Sequence, residues 1–436
     1  MNLKPTNRTS ARVWRFGFCE MVLATGMLID ERIVAAPSVI SSQAPTPPLT
    51  TDWQQNQPDE MDVFGASGEP AANQLPQFLR YGPLWIRPHA DYRFMYGNGL
   101  QATAGNQQAS AIHELAPGLL FNIGSHWSLD YTPTLRFYSN KKFRDTVDHA
   151  LALTGGLQYA DWVFGFSHSS QFTTTPLAET GSQTEQATHA TGLTASHAFT
   201  GKISADFGLN QQINLVTGFQ DSYTWSTLDW VNYQFWPRLS VGLGGGGGYV
   251  MIENRSQTHR NTDLDQTFEQ LQARINWRAT QKISFQVSGG LEDRQFSTAG
   301  SGDSVNPIFG ASIQYQPFQR TRISLSASRT VSSSDYYLAA QQSETTSIGV
   351  NLDQRLLKKF NLGLGLGYAK TDFNTSAGVA DGNRADENVS FNARLSHPFF
   401  KRGTWSLFYQ FSDNRSSQPG FGFQSNQTGF EISYRY

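Results

Sequence analysis

One cysteine, Cys19, stands in a chain of 436 residues, so neither a disulfide framework nor a cysteine-based zinc site can be built. Phe16, Gly17 and Phe18 precede it instead of the small residues that lead to a lipid-modified cysteine, and it reads as unmodified. No apolar run reaches 18 residues, which excludes a conventional transmembrane helix and leaves a barrel as the way this chain could span a membrane. Charge is scarce: 16% of residues are charged, against roughly 25% in an average soluble protein. A net charge of −2 gives no general attraction for nucleic acid. The nine histidines are dispersed, without a His-Glu-x-x-His motif or clustered carboxylates, so no metal and no cofactor is expected.

Aromatics are plentiful at 13%, with 39 glycines, and the mean hydropathy is still −0.43, because Ser, Thr, Asn and Gln supply the polarity. Arg8, Arg12 and Arg15 precede FGFCEMVLATGMLI, and residues 1–44 resemble a secretory signal interrupted by Glu20. Residues 45–80, rich in Pro, Gln and Asn without periodicity, read as a disordered periplasmic linker.

Residues 81–436 fall into alternations of about ten residues, the length a tilted strand needs to cross a bilayer. In HWSLDYTPTLRFY, Trp127, Leu129, Tyr131, Leu135 and Phe137 share one face, and His126, Ser128, Asp130, Thr132 and Arg136 the other. Eighteen such strands can be counted, beginning near 84, 111, 126, 149, 162, 187, 202, 223, 238, 266, 282, 306, 321, 345, 360, 387, 404 and 427. Short connections, such as Gly124-Ser125, Ala160-Asp161 and Trp236-Pro237, alternate with polar ones at 97–109, 139–147, 169–186, 211–222, 252–265, 295–305, 329–344, 370–386 and 413–426. That two-sided layout predicts an all-β, transmembrane antiparallel β-barrel of about 18 strands, with short periplasmic turns and long extracellular loops.

Arg or Lys facing lipid costs roughly 2–4 kcal/mol at the midplane, so the apolar parity must face lipid and the polar parity the lumen. The lumen set then contains Arg87, Arg93, Arg136, Arg274, Arg278, Arg294, Arg322, Arg355, Arg394 and Arg435, with Asp91, Asp130, Glu292, Asp353 and Glu431. Ten basic against five acidic groups would bias a water-filled pore mildly towards anions, unless cross-strand pairing absorbs them. One strand resists: in YTWSTLDWVNYQF the outward parity also carries Asp229, and a bulge near Leu228 would resolve it. VGLGGGGGYV lacks the Gly-Lys-Ser/Thr ending of a phosphate loop and reads as a strand whose glycines relieve a crowded wall.

The region 81–436 resembles the β-barrel porins of bacterial outer membranes of the type often encoded beside exopolysaccharide export genes. The likeness lies in DSYTWSTLDWVNYQFWPRLSVGLGGGGGYV, in NWRATQKISFQVSGGLEDRQF at 276–296 and in the closing FEISYRY. It implies a bacterial outer-membrane location and insertion by the barrel assembly machinery, which would read Phe430, Ile432, Tyr434 and Tyr436 on the last strand. Outer-membrane lipid and lipopolysaccharide would be its surroundings, and both a monomer and a homo-oligomer fit. The expected function is a passive pore for small hydrophilic solutes, with no enzymatic activity. An accessory barrel of exopolysaccharide export is the alternative. A second alternative is an outer-membrane lipid hydrolase, because His168 and Ser170 have the His-x-Ser spacing of that class, although Gln171 and Phe172 depart from its motif.

Overall fold

The computed structural model describes residues 79–103, 106–177, 182–254, 265–297, 303–333, 342–357, 359–374, 384–400 and 402–436. The expected signal segment, 1–44, and all but the last two residues of the expected linker, 45–80, lie outside the described residues.

Among the described residues the alternating segments form nineteen strands. These are β1 (Arg80–Tyr81), β2 (Leu84–Thr103), β3 (Asn106–Ile123), β4 (Trp127–Tyr138), β5 (Thr146–Tyr159), β6 (Trp162–Leu177), β7 (Ser182–Ala198), β8 (Ile203–Val216) and β9 (Gln220–Trp236). The second half comprises β10 (Leu239–Asn254), β11 (Gln266–Trp277), β12 (Ile283–Phe296), β13 (Ser304–Phe318), β14 (Thr321–Ser333), β15 (Gln342–Leu356), β16 (Phe360–Asn374), β17 (Arg384–Phe399), β18 (Gly403–Ser416) and β19 (Phe423–Arg435). Each strand from β2 to β19 pairs antiparallel with its chain neighbours, and β19 returns to β2 from Asn426↔Asn98 to Arg435↔His89. The eighteen long strands therefore close on themselves, which leaves no backbone edge facing lipid.

The two-residue β1 folds back on the start of β2, pairing Arg80 with Trp85 and Tyr81 with Leu84. β2 begins five residues below its last partner on β19, and the Tyr436 amide donates to the Pro88 carbonyl at 3.0 Å. β1 covers the overhang that remains. Trp85 has the parity of Arg87 and lies under the Arg80 guanidinium, 4.9 Å from its ring centre.

The short turns are tight enough to put Ala160, Leu357 and Phe400 at positive φ (51°, 48° and 51°), the left-handed geometry that matches hairpin twist. On the other side the expected loops at 97–109, 169–186 and 211–222 are mostly strand. β2 and β3, β6 and β7, and β8 and β9 continue pairing through them. These extensions stand above the bilayer, where both faces are polar, so no apolar alternation marked them as strand.

No bulge occurs at Leu228. β9 and β10 stay in register from Gln220↔Asn254 to Gln234↔Ser240. Asp229 keeps the outward parity and is satisfied locally, accepting from the Gly208 amide at 3.2 Å and from the Thr227 hydroxyl at 3.1 Å.

The glycine run in β10 has a specific tenant. A Cβ on Gly244 would fall 2.6 Å from the Trp230 ring, and one on Gly246 only 2.1 Å from the Thr227 carbonyl oxygen. A Cβ on the outward Gly245 would meet nothing nearer than the Gln270 carbonyl oxygen at 4.0 Å. Gly246→Ala is therefore expected to destabilise the barrel by about 1–3 kcal/mol, while Gly245→Ala is neutral. Denaturant midpoints of the two variants in detergent check this, and equal midpoints would contradict the packing account.

Candidate pore lining and its charge

The barrel is inverted with respect to a soluble protein. Large apolar side chains such as Leu243 (68% exposed), Leu271 (70%) and Leu366 (56%) stand on its outer face. The opposite parity holds buried charge, including Arg93, Glu114, Arg136, Glu292, Arg294, Arg384 and Glu431. Only a lipid exterior makes this arrangement favourable, because apolar area left in water and ions buried without partners both cost free energy.

In the extracellular half the lumen charges are paired. Arg136 on β4 donates from Nε to Glu114 on β3 at 2.5 Å and from Nη1 to Asp148 on β5 at 2.6 Å, so one cation bridges three strands. Arg294 is bound by Glu292 at 2.7 Å and by Gln266 at 2.8 Å, and it lies over the Phe268 ring at 4.9 Å. Arg384 pairs with Asp386 and is sandwiched between Phe373 and Phe421, at 4.8 and 3.8 Å. In the periplasmic half, Arg394 on β17 reaches Glu431 two strands away on β19 at 2.8 Å. Arg93 spans β19 to Gln410 at 3.5 Å and to the Phe408 ring at 4.1 Å, over the space that Gly429 leaves free.

The extracellular half also holds apolar packing on the lumen side. Phe143, in the connection between β4 and β5, lies 5.1 Å from the Tyr138 ring and joins Met95, Leu100, Ile112 and Phe408 in a buried cluster on the lumen side. β2 shifts register between Gly97 and Leu100 and approaches β6 and β7, which are not its sheet neighbours.

Nearer the periplasmic end, Arg274 donates to Asp206 and, at 2.9 Å, to Asn232, with Trp230 beneath it at 4.4 Å. His89 contacts Asp130 at 3.3 Å and Asp91 at 3.8 Å. Arg322 and Asp353 face each other in register across β14 and β15. Arg87 donates to the Tyr436 carbonyl at 3.3 Å, Arg278 lies exposed just past the end of β11, and Arg355 and Arg435 hold the lumen parity near the ends of β15 and β19.

The lumen also holds Glu114, Asp148, Asp206, Arg384, Asp386 and His89, which are not in the set expected from the sequence. Arg384 and Asp386 fell in an expected loop, and Asp148 one residue before an expected strand. The others sit on the lumen parity of strands that were recognised. With them the lumen parity carries eleven arginines against nine carboxylates among the described residues, so the excess of ten over five largely disappears there.

His168 and Ser170 do meet on the outer wall. Ser170 Oγ lies 2.7 Å from His189 Nδ1 and 3.1 Å from His168 Nε2, and His168 Nδ1 lies 2.9 Å from Thr191 Oγ1. β6 is paired on both sides through Ser170, so its backbone amides are committed to the ladders and offer no oxyanion donor.

Residues 185–430, more than half of the chain, match the family model described as "Putative outer membrane beta-barrel porin, MtrB/PioB". The chain belongs to this family of outer-membrane porins. The porin's location is accordingly the bacterial outer membrane, and the family match carries no link to exopolysaccharide export. No curated protein matches it in sequence. Solved structures similar to the porin include the siderophore receptor PirA of Pseudomonas aeruginosa, at 8% identity over 80% of each chain with a TM-score of 0.43. OccK2 (OpdF) of Pseudomonas aeruginosa in complex with glucuronate shares 12% identity over 80% of this chain and 97% of that one, with a TM-score of 0.43. OccAB3 of Acinetobacter baumannii shares 11% over 80% and 99%, with a TM-score of 0.44.

Proposed function

We propose that the porin is a passive pore for small hydrophilic solutes, constricted in its extracellular half. The observation that carries this reading is the polar, charged inner wall inside an apolar outer one, which is the lining a water-filled lumen requires. Purified protein in a planar bilayer should give discrete conductance steps. A correctly folded barrel that inserts and stays silent would overturn the reading.

The reading includes no hydrolytic role for Ser170. Ser170→Ala should leave conductance and barrel stability unchanged, and lipase activity in the parent that this variant abolishes would refute it. The outward row Phe430, Ile432 and Tyr434, with Tyr436, is taken as the surface presented to lipid and to the barrel assembly machinery. Phe430→Ser with Tyr434→Ser should lower the membrane-inserted fraction more than total expression.

A further inference from the structure

The two ends of the barrel carry opposite charge. β1, the short turns, the four strand residues on either side of each and the last four residues of β19 hold thirteen lysines and arginines against four carboxylates among the described residues. The remainder of the described barrel holds eleven against nineteen. The cations lie both on the lumen parity of the strand ends, as with Arg322, and on the turns themselves, as with Arg238, Arg278, Arg320 and Lys359. They are spread round the rim from the β7–β8 turn to β2. At 0.1 M salt the screening length is about 10 Å, so neighbouring cations on such a rim reinforce one another. In the extracellular half the arginines are bound in ion pairs, whose fields cancel within a few ångströms.

We propose that the periplasmic mouth is an anion-collecting vestibule, which loads small anionic solutes such as carboxylates and phosphates from the periplasmic side and makes the pore rectify. The inference rests on the pore reading and adds a solute class and a direction to it. With the extracellular side positive, anions enter through the basic mouth and cations through the acidic end, so both carriers accumulate in the pore. With the polarity reversed both are drawn out and the pore is depleted.

Single barrels in planar bilayers test this. Orientation is read from the side at which a thiol reagent labels Ser139→Cys in a Cys19→Ser background. At 0.1 M KCl the conductance with the extracellular side positive should exceed that at the opposite polarity by about twofold, and at 1 M KCl, where screening shortens to about 3 Å, the ratio should approach one. A salt gradient should give an anion-selective reversal potential. Neutralising Arg278, Arg320, Arg322 and Lys359 to Gln together should abolish the rectification, whereas Lys141→Gln on the extracellular side should preserve it. A conducting barrel with a symmetric current–voltage curve at 0.1 M KCl, cation selectivity, or rectification unchanged by the quadruple variant overturns this inference alone. A folded, inserted barrel without current overturns the pore reading beneath it.

Discussion

Arg136→Ala should destabilise the barrel by about 3–5 kcal/mol, more than loss of any exposed ion pair. Arg136 is the shared cation of Glu114 and Asp148, and all three are buried. Truncation would leave two buried carboxylates without the cation they share, with only Arg93, in register with Glu114, as a nearby positive charge, and that is costlier than the net worth of the bridge. Arg144 with Glu185, by contrast, is exposed on both sides at 3.0 Å, and Arg144→Ala should cost less than 1 kcal/mol. Urea unfolding of folded barrels in detergent or lipid separates the two. The triple variant Arg136→Ala, Glu114→Ala, Asp148→Ala should recover much of the loss, because the unpaired charge goes with the cation. Equal costs for Arg136→Ala and Arg144→Ala would show that the buried network is not stabilised as described.

Leu366→Arg should be nearly as damaging, at about 2–4 kcal/mol. Leu366 stands on the outer face in the seventh position of β16, between Val350 and Phe391, well inside the apolar band. A guanidinium there must be desolvated or drag water and headgroups inwards. Ser390→Arg, one step away across the β16–β17 pair but on the lumen parity, should cost much less, because its side chain enters a polar interior. Insertion and unfolding measurements on both variants test the face assignment directly. A better-tolerated Leu366→Arg would mean that the face carrying Ser390, not the one carrying Leu366, meets lipid.

The strand count, the closed antiparallel barrel and the two faces were legible because a period of two is a strong signal wherever one side meets lipid and the other water. That signal fades at both ends of each strand. Above the bilayer both faces are polar, so the extensions of β2, β6 and β9 looked like loops, and the Arg384–Asp386 pair inside one such region went unseen. The inward turn of Phe143 left no trace in the sequence, since a single aromatic in a polar connection specifies no direction. Asp229 misled in the opposite sense. A polar residue at an outward position suggested an irregular backbone, but the strand stays regular because a neighbouring amide and hydroxyl hold the carboxylate.

The seam between β19 and β2 sets the order of folding. Every other pairing in the wall joins segments adjacent in the chain, so each hairpin can form from its own turn with little loop-closure cost. His89 and Arg435 meet across almost the whole length of the barrel sequence. Such long-range contacts are the slow step in sheet formation. The seam also has cross-links of its own: Phe430 lies 5.6 Å from Phe94 and 6.0 Å from Tyr92 on the outer wall, and Arg93 crosses β19 to reach β18 on the inner. An incomplete barrel would therefore persist as an open ribbon with β2 and β19 as its free edges, and the rate of its disappearance measures closure itself.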